Sequence, residues 1–172
     1  MINRLFKVAI IGAGIGKNHL NAFNTQLDRF SVKYICDLDV DKANRLISNN
    51  NTKITEDYEE VLNDDEVDLI DICLPPDLHF EYVKKALEAG KHAICEKPLA
   101  VNASQVKKMI ETACAENVLL MEGMWSRFPP LMRKVREIVL AGSLGEIFSI
   151  QAEFGFLPKN KDPNGRLFNP AL

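Results

Sequence analysis

A carboxylate and a lysine follow each other directly after a short apolar run of this sequence. The run covers residues 92–95, and the pair is Glu96-Lys97, with Pro98 behind it. Ligands of open parallel sheets bind outside the carboxyl ends of the strands, so a charged pair there could act on a ligand. A lysine can hydrogen-bond a hydroxyl and stabilise charge as an alcohol is deprotonated, and Glu96 could orient it. The alternative is a solvated ion pair of little energetic value.

Glycines follow an earlier apolar run. Gly12, Gly14, Ile15 and Gly16 come directly after the run that ends at Ile11. A glycine turn between a strand and a helix lets backbone amides and the positive helix end approach a pyrophosphate. The third glycine comes one place earlier than in the usual G-x-G-x-x-G pattern. We therefore expect a tighter turn, in which Gly16 allows close packing of helix and strand. Turn glycines without a ligand are the alternative.

An acid closes the second apolar run. Asp37 lies roughly twenty residues past the glycine turn, where a carboxylate accepts hydrogen bonds from the adenosine ribose and repels a 2′-phosphate. The next basic residue is Lys42. The sequence therefore favours NAD over NADP as cofactor.

Prolines end the fourth apolar run. Pro75 and Pro76 can continue neither a helix nor an inner strand, and they could line a cofactor cleft. Asp77 is expected to cap the following helix. His79 lies in the first turn of that helix, where it could face the cleft, although the pattern favours a position on the surface.

These segments alternate with helices. The predicted strands are residues 7–11, 32–36, 53–54, 67–74, 92–95 and 118–121. The predicted helices are residues 17–28, from 39 or 41 to 47, 57–62, 77–90, from 102 or 104 to 113, and 131–140. The order and the short links predict an α/β fold, with a doubly wound parallel sheet of the Rossmann type.

The sequence changes character after residue 123. A helix is predicted at 131–140 and a strand at 147–156, and about fifty residues are too few to close a second core. We expect a dinucleotide-binding domain over residues 1–123 and an incomplete α+β domain over residues 124–172. An unpaired apolar strand at 147–156 would favour self-association.

Composition excludes several classes of function. The 172 residues have a net charge of −3 with both signs interleaved, so no basic face is available for nucleic acid. Residues 1–7 are too short and too polar for a signal peptide, and no apolar run approaches the roughly 18 residues of a membrane span, so we expect a cytoplasmic protein without membrane contact. The four cysteines form no C-x-x-C pair, which argues against disulfides and a metal site.

The sequence resembles the glucose-fructose oxidoreductase and inositol dehydrogenase family of nicotinamide-dependent sugar and diol dehydrogenases. The resemblance runs along the whole chain. The matching segments are the glycine turn with His19 behind it, Pro75-Pro76-Asp77-Leu78-His79, and Gly90-Lys91-His92 through Glu96-Lys97-Pro98. Residues 121–129 and Gly145-Glu146-Ile147 resemble the branch of dimeric dihydrodiol dehydrogenases.

The resemblance implies roles for individual residues. It implies that Lys97 contacts the nicotinamide ribose and the substrate, and that Glu96 and Pro98 shape the cleft. It further implies that Trp125 and Arg127 approach the substrate, a sugar or cyclic diol, in a homodimer. Family members continue into a domain with an acid and a histidine or tyrosine for the substrate proton, whereas this sequence stops at Leu172. We therefore expect a truncated form that binds NAD without turnover.

Two other functions stay open at this point. A non-catalytic sensor or interaction protein could use the same domain to report the NAD state of the cell. A non-redox Rossmann protein, such as one that binds sugar nucleotides, would bind adenine nucleotides without a change in NADH fluorescence.

Overall fold

The computed structural model describes residues 4–47 and 51–155. The strands are β1 (Phe6–Ile11), β2 (Phe30–Cys36), β3 (Lys53–Thr55), β4 (Leu69–Ile72), β5 (His92–Cys95) and β6 (Leu120–Glu122). The helices are α1 (Gly16–Phe23), α2 (Val40–Asn44), α3 (Tyr58–Leu62), α4 (Pro76–Glu88), α5 (Ala103–Ala115) and α6 (Pro130–Leu140), with a short 3₁₀ turn at Trp125–Arg127. All strands pair in parallel, in the order β3-β2-β1-β4-β5-β6. The predicted α/β fold with a Rossmann-type sheet is confirmed.

The strand order reverses between β1 and β4. The chain passes from β1 to β2 on one side and later returns to β4 on the other side of β1. The loops that follow β1 and β4 therefore diverge at the carboxyl edge and open a crevice between them, the usual ligand position in such sheets.

The sheet is buried on both faces. Ala9 and Ile11 of β1 pack into one apolar cluster with Val83 of α4 and Met109 of α5. Their neighbours Val8 and Ile10 pack into a second cluster, on the side of α1 and α2. Successive residues of a strand face opposite ways, which explains why β1 reads as one continuous apolar run.

Several helix ends differ from the prediction. Helix α1 stops at Phe23 rather than near residue 28, and the Thr25 hydroxyl bonds the Ala22 carbonyl in the turn that follows. Asp77 does not cap α4, because the helix begins one residue earlier at Pro76, whose fixed φ suits the first helical position. Asp39 caps α2, which resolves that alternative.

Asn102, rather than Ser104, caps α5. The cysteines Cys36, Cys73 and Cys95, which lie within the predicted strands, are buried, and Cys114 is exposed. Burial raises the pKa of the Cys36 thiol to about 11. None of the helices in residues 4–47 and 51–155 is long and apolar enough to span a lipid bilayer.

The described residues form two compact units that divide between Phe128 and Pro129. The second unit contains α6, and the strand predicted at 147–156 is absent from its described part, residues 147–155. Residue 156 lies outside the described residues. A strand needs a neighbour for its amides and carbonyls, and no described segment pairs with this one.

Candidate functional site

The glycine turn is closed to side chains at Gly12 and Gly16, where a Cβ would collide with neighbouring atoms, and open at Gly14, where a Cβ would have room. Gly12 has a φ of +100°, and a Cβ there would lie 2.6 Å from the Cys73 carbonyl oxygen. A Cβ on Gly16 would lie 2.8 Å from Cγ2 of Ile10, so α1 packs closely on β1 as predicted. At Gly14 the nearest atom is Lys42 Nζ at 3.9 Å. Gly14 and Ile15 are exposed just before the first turn of α1, where backbone amides are available to an anion.

Asp37 fixes this turn from the end of β2. Its carboxylate accepts hydrogen bonds from the backbone amides of Ala13, at 2.6 Å, and Asp39, at 2.8 Å. Burial opposes ionisation, but the two amides and the nearby Lys42 ammonium outweigh it and lower the pKa of Asp37. Asp37 is therefore an anion that touches the glycine turn.

Lys42 lies beside Asp37 and the glycine turn. Its Nζ is 3.4 Å from Asp37 Oδ2 and 3.9 Å from the position that a Cβ would take on Gly14, since α2 begins shortly after the carboxyl end of β2. A positive charge therefore stands beside the acid that the sequence interpreted as selecting NAD.

The loop after β5 has a fixed backbone and an exposed lysine. The Glu96 amide donates to the Ile72 carbonyl at 2.9 Å, and the Leu99 amide donates to Glu122 Oε1 at 2.9 Å. The peptide between Lys97 and Pro98 is cis. The Lys97 side chain is exposed, and its Nζ has no hydrogen bond or ion pair with the described residues. The expected alternative, a Glu96–Lys97 ion pair at the strand end, is not formed there.

His79 is buried, so the expectation of a surface histidine is wrong. It lies one turn before Val83 on the inner face of α4, and its side chain is 0 % exposed. Nδ1 is 2.7 Å from the Pro98 carbonyl oxygen, and Nε2 is 2.8 Å from that of Leu74. Carbonyl oxygens only accept, so both contacts are hydrogen bonds only when both ring nitrogens carry protons. His79 thus links the loops after β4 and β5, while Pro75 is exposed at the start of α4.

Sequence reasoning missed a buried acid. Asp71 lies in the apolar strand β4 and is 0 % exposed. Its Oδ2 is 2.8 Å from Nδ1 of His19, whose Nε2 is 3.1 Å from Glu96 Oε1. Its Oδ1 has no hydrogen-bond partner among the described residues. An acid between isoleucines in a central strand was the available signal, because burying a charge is costly.

The surroundings of His19 favour its charged form. The hydrogen bond to Asp71 raises the pKa of His19, burial opposes this, and Glu96 adds to the increase. Cys73 lies nearby, and the donor atoms of His19, Asp71 and Cys73 fall within 4.8 Å of one another. Burial and the adjacent carboxylates of Asp71 and Glu96 raise the pKa of the Cys73 thiol well above its ordinary value. A protonated thiol is a poor metal ligand, so this cluster is better described as a hydrogen-bond network.

Trp125 and Arg127 lie in the 3₁₀ turn shortly after β6, and both side chains are exposed. The start of this segment is fixed against the end of β5, because the Gly123 amide donates to the Cys95 carbonyl at 2.6 Å. A Cβ on Gly123 would lie 3.2 Å from that oxygen. The structure therefore places the segment that leads to Trp125 beside the backbone of Glu96.

Known proteins are similar to this chain in sequence and in fold. A family model described as "Oxidoreductase family, NAD-binding Rossmann fold" matches residues 6–124. The trans-1,2-dihydrobenzene-1,2-diol dehydrogenase of Xenopus tropicalis is 40% identical over 118 residues, which cover 68% of this chain and 36% of that protein. The enzyme of the same name from Mus musculus is 33% identical over 162 residues, 90% of this chain and 49% of that protein.

A solved structure is also similar to this chain. A 3-ketoreductase from Actinomadura kijaniata, in complex with NADP and TDP-benzene, is 30% identical with a TM-score of 0.74, over 81% of this chain and 43% of that one. The chain thus spans less than half the length of these relatives. The match over residues 6–124 shows that the chain belongs to the glucose-fructose oxidoreductase, inositol dehydrogenase and MocA family of NAD-binding Rossmann oxidoreductases.

Proposed function

We propose that this chain binds NAD at the carboxyl edge of its sheet and belongs to an enzyme that moves hydride between NAD and a sugar or cyclic diol. The main support is the glycine turn, which is closed at Gly12 and Gly16 and open at Gly14. That opening lies at the start of α1, next to the point where the strand order reverses. A pyrophosphate would accept hydrogen bonds from the amides there.

The other parts of the dinucleotide follow from this position. Gly12, Gly14, Ile15 and Gly16 would surround the pyrophosphate, and Asp37 would accept from the adenosine ribose. Pro75, Glu96 and Pro98 would line the nicotinamide half of the cleft. His79 has both nitrogens engaged and no exposed surface, so we assign it the role of holding the cleft loops.

Lys97 is the proposed catalytic residue. Its exposed ammonium has no partner among the described residues, so it is available to a ribose or substrate hydroxyl. Such a donor stabilises the charge that develops on the alcohol oxygen as hydride leaves carbon. Trp125 and Arg127 are proposed to contact the substrate. The named activities of the relatives, which act on diols or as ketoreductases, support a sugar or cyclic diol as substrate.

NAD is the proposed cofactor in preference to NADP. The Asp37 anion would face a 2′-phosphate and repel it, and the lowered pKa of Asp37 means that this charge persists at neutral pH. Lys42 opposes this preference, because it could pair with the same phosphate. We therefore expect NAD to bind more tightly by a moderate factor rather than exclusively.

The domain organisation of the chain is also a proposal. Residues 1–123 would form the dinucleotide-binding domain, and residues 124–172 would belong to a substrate and dimerisation domain. The isolated 172-residue chain would then bind NAD without turning over substrate, since it spans less than half the length of its relatives. We place the protein in the cytoplasm.

A homodimer is proposed from the second unit. Phe148, Ile150 and Phe154 are 87, 85 and 86 % exposed, and α6 presents further apolar side chains. Apolar surface of this extent favours burial against another copy. Light scattering at high concentration should give the mass of a dimer, and a monodisperse monomer would contradict this.

Calorimetry of the 172-residue chain with NADH tests the cofactor proposal. Gly14→Val should fold normally, because a Cβ there meets no atom closer than 3.9 Å, yet it should abolish binding by filling the space for the pyrophosphate. Gly155→Val is the matched control, since Gly155 is also open but lies outside the turn. The proposal fails if wild type gives no heat at millimolar NADH while folded, or if both variants bind equally.

A further inference from the structure

Three polar side chains from separate elements connect the core of the sheet to the loop of Lys97. Asp71 of β4 bonds His19 of α1 at 2.8 Å, and His19 contacts Glu96 Oε1 at 3.1 Å. The second oxygen of Glu96 accepts from the backbone amide of Lys97 at 3.1 Å. The contacts thus run without a gap from a fully buried acid to the backbone of the proposed catalytic residue.

We propose that His19 and Asp71 are positioning residues that hold Glu96, and through it the backbone of Lys97, in the geometry needed at the nicotinamide end of the cleft. This inference rests on the proposed function for the role of Lys97. Neither His19 nor Asp71 is assigned contact with the cofactor or substrate. They act through Glu96.

Stability alone does not explain an acid at position 71. The carboxylate is fully buried between Ile70 and Ile72, and one oxygen has no hydrogen-bond partner among the described residues. Taking a carboxylate out of water costs several kcal/mol, and an apolar side chain of similar volume is often neutral or more stable in such a place. What Asp71 supplies is an acceptor that orients one nitrogen of His19.

The charge state of His19 determines whether the link to Glu96 is complete. The groups that face its ring are Asp71 from β4, the Cys73 thiol just after β4, and Glu96 after β5. Carboxylates only accept, so both contacts are hydrogen bonds only when the ring is an imidazolium. The pKa of His19 is raised, first by the bond to Asp71, so the imidazolium persists above the ordinary value of 6.5.

Loss of the proton weakens this link in a defined direction. A histidine with a raised folded-state pKa contributes stability that is fully present below 6.5 and is lost as the pH rises through the folded-state value. A neutral ring keeps one N–H. We expect that N–H to remain on Nδ1 at the shorter contact with Asp71, leaving Nε2 unprotonated against Glu96. Glu96 is then released, and with it the constraint on the Lys97 amide.

Lys97 is sensitive to such a constraint because nothing else in the described residues fixes its side chain. The ammonium has no partner there, so its average position depends on its backbone. The carbonyl of Pro98 and the amide of Leu99 are bonded to His79 and Glu122. Glu96 supplies the corresponding bond at Lys97 itself.

Nuclear magnetic resonance of the 172-residue chain without nucleotide tests the linkage. We expect both ring nitrogens of His19 to be protonated at pH 6.5 and its titration midpoint to lie above that value. The Lys97 amide resonance should shift with the same midpoint. In His19→Gln one set of histidine signals should disappear, which assigns that set to His19 rather than to His79 or His92.

Variants then separate positioning from a structural role. Asp71→Asn keeps the shape of the side chain and removes its charge, so it should lower the His19 midpoint and move the midpoint of the Lys97 amide with it. Asp77→Asn, which changes an exposed acid outside the network, should alter neither. Glu96→Gln should uncouple the Lys97 amide from His19 while His19 still titrates.

The inference is overturned if His19 titrates at or below its ordinary value, or if the Lys97 amide is indifferent to the protonation of His19. Because wild type alone decides both points, a variant that fails to fold does not block the test. NADH titrations of the same samples are scored separately. Absence of NADH binding together with coupled titration would refute the proposed function while leaving the linkage from Asp71 to Lys97 established.

Discussion

The loops after β1 and β5 both leave the carboxyl edge of the sheet, but different groups hold them. The loop after β1 is shaped by glycines and by one carboxylate that accepts from backbone amides. The loop after β5 is held by side chains from distant parts of the chain, chiefly His19, His79 and Glu122. Backbone freedom therefore determines the first loop, and tertiary contacts of polar side chains determine the second.

This difference has a functional counterpart in the proposed cleft. A pyrophosphate needs amides and space, which a glycine turn supplies directly. Hydride transfer needs a catalytic group that is held in position within a fraction of an ångström, and this requires a loop that other residues support. The loop of Lys97 has that support in its backbone while its side chain stays exposed.

Replacement of Lys97 should have the largest effect. In an active form of the protein, Lys97→Ala should lower kcat by about 10²- to 10⁴-fold, because a positioned proton-transfer or charge-stabilising group contributes that much. NADH affinity, measured by fluorescence, should change little. Lys84→Ala, on the exposed face of α4, is the control. Equal losses in turnover and affinity would make Lys97 a cofactor-binding residue instead.

Gly12 should show the largest effect on the other loop. Gly12→Ala forces an L-residue to a φ of +100° and brings its Cβ within 2.6 Å of a backbone oxygen, so we expect a loss of about 3 kcal/mol in the free energy of unfolding. Gly14→Ala should stay within about 0.5 kcal/mol of wild type. Urea unfolding measures both. Similar values for the two variants would mean that the turn relaxes as a unit.

The two loops also differ in how far the sequence predicted them. Gly16 and Asp37 could be placed because a strand followed by glycines and a second strand followed by an acid are local patterns. His79 could not, since its position three residues into α4 does not reveal that the carbonyls of Leu74 and Pro98 converge on it. The strand at 147–156 was wrong over its described part because alternation predicts a strand only where a partner exists.

Asp71, a buried acid in a strand, was the one feature of the local sequence that pointed to the contacts that hold the loop after β5. Asp71 interrupts the apolar run of residues 69–74, and a charge in that position implies a partner. The identity of that partner, His19, required the packing of α1 against the sheet. Glu122 at the end of β6 gave no such sign, because acids are common at strand ends.

His79 should have an intermediate effect. His79→Leu removes the ring nitrogens that contact the part-buried carbonyls of Leu74 and Pro98, and we expect a loss of about 2 kcal/mol in unfolding free energy. His79→Gln retains one donor group and should recover part of the loss. Hydrogen exchange should show the Leu99 amide opening more often in His79→Leu. An unchanged Leu99 amide would mean that Glu122 alone fixes the loop.

Substitutions of Asp37 and Lys42 should have the smallest effect, and the direction in which they change the ratio of NADP to NAD affinity is the most informative result. Asp37→Ser removes the charge that repels a 2′-phosphate and leaves Lys42 free to pair with it, so NADP affinity should rise by about tenfold relative to NAD, the size of one charge-assisted bond. Lys42→Ala should move the ratio the other way. Calorimetry with both dinucleotides measures the ratio, and Asp41→Ser is the control for an acid outside the contact. If Lys42→Ala weakens NAD and NADP equally, the ammonium serves the pyrophosphate at Gly14 rather than the 2′-position, and cofactor choice then depends on Asp37 alone.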